Sequence, residues 1–236
     1  MSVADVASAY DVTTETVRRD LRALARAGVV RRVHGGAVPA SALRLVELGV
    51  AERETAMAAE KDRIAAAAVG LLPPEGGSLV LDAGTTTGRL ARLLPTDQDL
   101  TVVTNAVPVA AQLAGCRGIR LQLLGGRVRG VTHAAVGAET VRALGDIRVD
   151  VSFLGTNGLS STYGLSTPNP DEAAVKRAMA QAGRRVVVLA DSAKIGREDL
   201  VRFASVDAVH VLVTDDGIDG GSAAELQEHG VEVVVA

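Results

Sequence analysis

The chain has 236 residues, 47% hydrophobic and 22% charged, with a formal net charge of −3: material for one large domain or a large and a small one, which excludes a disordered chain. A single cysteine, Cys116, excludes an internal disulfide and a thiolate-built structural zinc site, and no metal or cofactor is expected. No apolar run nears the roughly 18 residues that span a bilayer and no secretory signal is expected, so the protein is expected in the cytoplasm; with two Phe, two Tyr and no Trp it is excluded as a base-stacking single-strand binder.

Charge is divided unevenly. Residues 1–40 carry six basic and four acidic side chains, a net +2, while residues 41–236 carry 19 basic and 24 acidic, a net −5. A basic head on an acidic body suits a polyanion partner at the head; from charge alone, a solvated arginine-rich helix is the alternative. Ser2 with Asp5 three residues on fits a capping box that opens a helix to Tyr10, with Val3, Val6, Ala7 and Tyr10 on one face. Asp11-Val12 turns, and Thr13 is the N-cap of a second helix running to Ala27, with Val17, Leu21 and Leu24 as its inward stripe. Arg18, Arg19, Arg22 and Arg26 fall on the opposite side, and Gly28 ends the helix. Val29 to Val33 alternates out of helical period, His34-Gly35-Gly36 turns, and Ala37-Val38 returns as a hairpin. The pattern is a small winged helix-turn-helix. Thr13 caps the turn whose Thr14, Glu15, Thr16 and Arg18 would meet base edges in a major groove, while Arg19, Arg22, Arg31, Arg32 and His34 would sit against phosphates.

Residues 41–60 read as a linker, with Val46 to Glu54 open between a short strand and a helix. A helix over Ala58–Leu72 is stopped by Pro73-Pro74. Residues 61–236 then alternate strand and helix. Strands are expected at Ser78–Leu81, Leu100–Thr104, Ile119–Leu123, Val149–Leu154, Arg185–Ala190, Ala208–Thr214 and Val231–Val235. Helices are expected at Thr86–Leu94, Ala106–Ala114, Gly137–Leu144, Pro170–Ala182 and Gly221–His229. That is an α/β fold with a mostly parallel sheet, which binds ligands at the carboxyl ends of its strands.

The loops at that end carry the chemistry. Asp82, Gly84, Thr85, Thr86 and Thr87 make a small, hydroxyl-rich turn into a helix start, an anion site or else a threonine-capped helix. Asn105, Gly125, Gly126, Arg127, Asn157, Asp191 and Lys194 recur after successive strands, with Arg127 and Lys194 as candidate charge partners for a phosphate. Asp191 with Lys194 also reads as a plain loop ion pair.

Two strings in the head, Thr13-Thr14-Glu15-Thr16-Val17-Arg18-Arg19-Asp20-Leu21 and Arg31-Arg32-Val33-His34-Gly35-Gly36-Ala37, resemble the signature of the DeoR family of bacterial transcription regulators. Asp82–Thr87, Val103-Thr104-Asn105, Leu124-Gly125-Gly126, Phe153 to Gly158, Thr167-Pro168-Asn169, Glu172 to Lys176 and Ala190-Asp191-Ser192 resemble that family's C-terminal sensor domain. The resemblance implies operator DNA as partner of the head, a phosphorylated sugar or polyol as effector, a homo-oligomer, and a sensor sharing the fold of ribose-5-phosphate isomerase. It also implies a further helix before Ser2, so the winged helix is expected to lack its first helix and the native product to start upstream. The isomerases carry paired aspartates where this chain has Leu154-Gly155-Thr156-Asn157, so no catalytic residue is expected, and the function the resemblance implies is repression of sugar or polyol genes. A sugar-phosphate isomerase or deaminase relative with an accessory DNA-binding head is the alternative.

Overall fold

A computed structural model describes residues 3–26, 30–33, 36–39, 47 and 49–236, with 30–33 and 36–39 described as backbone. The chain divides into two compact units, Met1–Arg44 and Leu45–Ala236.

In the first unit, helix α1 spans Val3–Ala9 and α2 spans Thr14–Arg26. Thr13 caps α2 as expected, its Oγ1 accepting the Thr16 N–H at 3.2 Å. Ala7, Val17 and Leu21 are buried together, with Val3 and Val6 packed against them. Two expected core residues are not in that cluster. Tyr10 is 75% exposed because α1 ends at Ala9 and Asp11 takes a left-handed φ of 52°, which swings the chain off the helix face. Leu24, one turn beyond the buried Leu21, is also exposed. Strands β1 (Val30–Val33) and β2 (Gly36–Pro39) form the expected antiparallel hairpin, Val30 opposite Pro39. Ser2 and His34 lie outside the described residues.

The second unit opens with α3 (Val50–Thr55), so the ambiguous stretch within 41–60 is helical there, and α4 (Ala58–Ala68) ends in a 3-10 turn over Val69–Leu71. Then follow β3 (Ser78–Leu81), α5 (Thr85–Arg92), β4 (Leu100–Thr104), α6 (Val107–Leu113) and β5 (Ile119–Leu123). A hairpin, β6 (Arg127–Arg129) with β7 (Ala134–Val136), leads to α7 (Ala138–Gly145) and β8 (Val149–Gly155). Next come β9 (Gly158–Ser160), β10 (Gly164–Thr167), α8 (Pro170–Ala182), β11 (Gly183–Leu189) and β12 (Val201–Ala204). The unit closes with β13 (Val211–Thr214), α9 (Gly220–Glu228) and β14 (Glu232–Val235).

Seven strands form one parallel sheet in the order β14-β13-β11-β8-β3-β4-β5. Alternate residues of each strand face opposite layers. Leu79, Leu81, Phe153 and Leu189 pack with Ile64 of α4, Leu90 of α5 and Val109 of α6. Val80, Leu154 and Val188 pack with Leu144 of α7, Met179 of α8 and Leu226 of α9. Strands β3, β4 and β5 step one way across the sheet and β8, β11, β13 and β14 the other, so the order reverses between β3 and β8. In open parallel sheets that reversal leaves a crevice at the carboxyl ends. The expected strand from Ala208 starts only at Val211, because Val206–Ala208 closes a 3-10 turn first. The β6–β7 hairpin and the antiparallel β12-β10-β9 sheet were not expected; their strands are three or four residues long, too short to show a period.

Candidate functional site

The expected DNA-facing residues of α2 lie where the helical period puts them. Thr13, Thr14, Glu15, Arg18, Arg19 and Arg22 are exposed, opposite the buried Val17 and Leu21, and Thr16 is half-buried against Thr13 Oγ1 at 2.9 Å. Glu15 stands between two arginines, 3.5 Å from Arg18 and 3.8 Å from Arg22. With the Arg18 and Arg22 side chains 50% and 52% exposed, such pairs are worth about 0–1 kcal/mol, so a phosphate can replace the carboxylate at little cost. Arg31 and Arg32 fall on β1, and His34 is beyond the described residues.

At the sheet reversal the chain buries an ion pair. Lys176, in α8, donates to Asp82 Oδ2 and, at 2.9 Å, to the Gly155 carbonyl, while the Gly155 N–H donates to the same Asp82 oxygen at 2.9 Å. Both side chains are almost fully enclosed. Burial pushes the Asp82 carboxyl above the usual carboxylate range, against the opposing pull of the Lys176 ammonium. Lys176 also lies over the Phe203 ring, 5.7 Å from its centroid.

The threonine turn is sorted by burial. Thr86 and Thr87 face inward, and Thr87 Oγ1 donates to the Gly84 carbonyl at 3.1 Å. A Cβ at Gly84 would come within 2.9 Å of that hydroxyl, which is why a glycine stands there. Asn105 is buried, its amide donating to the Ala135 carbonyl at 3.0 Å while Oδ1 has no hydrogen-bond partner. Asp191 is buried with Oδ1 likewise unpartnered, and Asn157 is buried too. Gly126 has φ 143°, and a Cβ there would collide with Thr140, whose hydroxyl donates to the Gly125 carbonyl at 2.6 Å. Arg127 is two-thirds exposed and paired with Asp171 at 2.5 Å, and Lys194 ends a 3-10 turn, its N–H donating to the Asp191 carbonyl at 2.9 Å.

Beside this end of the sheet lies a cleft of about 350 Å³ between α3, the start of α5, α6 and the β6–β7 turn. Of the expected ligand residues, Gly84 and Thr85 line it; its other polar walls are Glu54, Arg92, Gln112, Thr132 and His133. Asp82, Asn105, Asn157 and Asp191 do not line it; they are buried after the carboxyl ends of β3, β4, β8 and β11. Arg89, buried on α5, fixes the start of that helix by reaching Asp62 at 2.7 Å, Glu54 at 3.0 Å and the Thr85 carbonyl at 2.9 Å. Arg92, His133, Lys176 and Arg129 were not expected at this site. Only Lys176 left a trace in the sequence, one helical turn after Glu172 on α8.

Among the described residues no helix is long and apolar enough to cross a membrane, and no group of three or more His, Cys, Asp or Glu could hold a metal ion.

The family model for the DeoR C terminal sensor domain matches residues 56–216, and that for the DeoR-like helix-turn-helix domain matches residues 1–42. The chain is 34% identical over 236 residues to the putative aga operon transcriptional repressor of Escherichia coli O157:H7, covering 100% of this chain and 87% of that protein. It is 32% identical over 216 residues to the glycerol-3-phosphate regulon repressor of Escherichia coli strain K12, covering 91% of this chain and 84% of that protein. Among solved structures, ribose 5-phosphate isomerase A from Methanocaldococcus jannaschii is 17% identical and aligns with a TM-score of 0.43 over 59% of this chain and 55% of that one.

Proposed function

The chain belongs to the DeoR family of transcriptional regulators, and on that premise we propose that it represses genes of sugar or polyol metabolism, with a phosphorylated sugar or polyol as its effector. The observation that carries the DNA-binding half is the face of α2, where Arg18, Arg19 and Arg22 stand exposed on a helix whose other side is fixed by Val17 and Leu21. Phosphate contacts from Arg19 and Arg22 set register, and the start of α2, with Arg18, reads bases.

For the effector, the cleft bordered by Gly84 and Thr85 is the entry, with the phosphoryl group at the start of α5 and the sugar hydroxyls toward Asn105 and Asn157. The partner chemistry differs from the simplest expectation. Arg127 pairs with Asp171 at the surface, whereas Arg92, 3.4 Å from Glu54, lines the cleft itself and supplies a cation there. Asp82 acts as framework, because its Oδ2 is committed to Lys176 and Gly155.

The protein is a regulator rather than an isomerase, in line with its named relatives. At the end of β8, Leu154 is fully buried and Asn157 carries an amide, so neither offers a carboxylate to move a proton. Paired heads reading two half-sites call for a homodimer or larger assembly. The direct test is a mobility shift on DNA upstream of the protein's own gene with a panel of phosphorylated sugars and polyols. Binding relieved or strengthened by one of them is expected. Turnover of any of these compounds by the purified protein would overturn the reading.

A further inference from the structure

We propose that the β6–β7 hairpin ties occupancy of the cleft to the joint with the DNA-binding unit, and that Arg129 is its latch. The proposal rests on the effector reading above and concerns how that site is regulated.

Arg129 gathers two acidic side chains from distant parts of the chain. Its Nη2 donates to Glu47 Oε2 at 2.6 Å, and its Nη1 donates to Glu47 Oε1 at 3.3 Å and to Glu172 Oε1 at 2.5 Å. All three side chains are nearly enclosed, 12%, 11% and 7% exposed, so this two-pronged grip is shielded from solvent and from salt. Glu47 lies three residues beyond Arg44, the last residue of the first unit, so the grip takes hold where the chain enters the sensor. A second tie comes from the same hairpin, where the Val131 carbonyl accepts the N–H of Val50, the first residue of α3. The start of the sensor chain is thus held twice by one small element.

That element is also a wall of the cleft. Thr132 and His133, the next residues of its turn, line the cavity, and Thr132 donates its hydroxyl to the same Glu172 oxygen that Arg129 holds. His133 has a left-handed φ of 55°, a conformation that costs a non-glycine residue energy and is held by its N–H on the Arg129 carbonyl (2.7 Å) and its carbonyl on the Val107 N–H (3.1 Å). α3 lines the same cleft, through Val50, Ala51 and Glu54. A ligand that presses on Thr132 or His133 therefore acts on a strained turn, and that turn carries both ties to the joint. A two-pronged ion pair holds in one geometry and fails over a small shift, which gives the hairpin two states rather than a continuum.

The test is hydrogen exchange of the full chain, read at residues 47–55 and 84–92. Without ligand, Glu47→Gln and Arg129→Lys should each speed exchange in 47–55 by about tenfold, the worth of one charge-assisted hydrogen bond, and leave β3 and β8 unchanged. Inorganic phosphate, the group common to the ligand class, should slow exchange at 84–92 in all three proteins and alter 47–55 in the wild type alone; a merely structural contact would not produce that last difference. The latch is overturned if both variants leave 47–55 unchanged without ligand. It is overturned equally if phosphate protects 84–92 but never moves 47–55 in the wild type, or moves it as much in Glu47→Gln. Phosphate that protects neither segment refutes the placement of the effector instead, and the ligand-free comparison still decides the latch.

Discussion

Replacing Lys176 by methionine removes the cation from the sheet reversal while keeping most of the side chain's volume against Phe203. It strands the Asp82 carboxyl, 1% exposed, with the Gly155 N–H as its remaining donor. Breaking a buried pair from one side costs about 3–5 kcal/mol, which for a domain of this size lowers the melting temperature by roughly 6–20 °C. Replacing both partners, as Asp82→Asn with Lys176→Met, leaves no uncompensated charge and is expected to cost only about 1–2 kcal/mol, so the two changes are strongly non-additive. The pH dependence has a definite sign. Burial already holds the Asp82 carboxyl above its ordinary value, and without Lys176 nothing cationic opposes that shift. The folded Lys176→Met protein then binds a proton more readily than its unfolded chain. Its deficit is therefore smallest at acid pH and grows as pH rises, by up to about 1.4 kcal/mol per pH unit until the folded carboxyl ionises. Urea unfolding followed by circular dichroism at several pH values measures this directly. A loss below about 1 kcal/mol for Lys176→Met at neutral pH, or a double variant that loses the sum of the two single ones, would show that Asp82 and Lys176 do not depend on each other as a buried pair.

On DNA, Arg22→Ala should weaken binding to all sequences and lower the salt slope by about one, whereas Arg18→Ala should cost about 1–3 kcal/mol on the operator and relax its sequence preference; fluorescence anisotropy across a salt series separates the two. Thr85→Val should leave DNA binding intact and abolish the response to a phosphorylated effector, and a response that survives places the phosphoryl group elsewhere. Ser78 donates its hydroxyl at 2.7 Å and its N–H at 2.9 Å to Asp150 Oδ2, which holds that carboxyl below its ordinary value. A depressed carboxyl stabilises the fold above the ordinary carboxylate range and loses that contribution as pH falls through the depressed value. Ser78→Ala should thus be less stable than wild type at neutral pH, by well under about 1 kcal/mol given the exposure of Asp150, with the difference closing in acid.

The strands that build the parallel sheet were legible because each is an apolar run bounded by turn residues, as at Ser78–Leu81 and Leu100–Thr104, whose limits match the sequence expectation. The N-cap Thr13 and the arginine face of α2 were legible for a similar reason, since both are local consequences of a 3.6-residue period. What escaped is what depends on contacts between distant residues. Arg129 meets Glu47 and Glu172 across 82 and 43 positions of sequence, and no window of the chain shows it. Lys176 stands in a stretch that resembles the sensor domain, but its partner Asp82 lies 94 positions away and shows only once α8 is laid over the reversal between β3 and β8. For Arg127 the structure adds a partner that the sequence does not show. It follows a glycine turn at the right end of β5, yet the hairpin carries it to the surface beside Asp171. Tyr10 kept the helical spacing of its neighbours, but the left-handed Asp11 ends that geometry one residue too soon.

Whether a phosphorylated metabolite governs a duplex-binding head is decided by titrating the full-length protein onto a labelled duplex from upstream of its own gene. Binding should be steeply salt-dependent, be lost to competitor of the same sequence before random competitor, and shift in midpoint with one phosphorylated sugar or polyol but not with its unphosphorylated form. Binding indifferent to both sequence and effector, or consumption of the effector during the titration, would contradict that control.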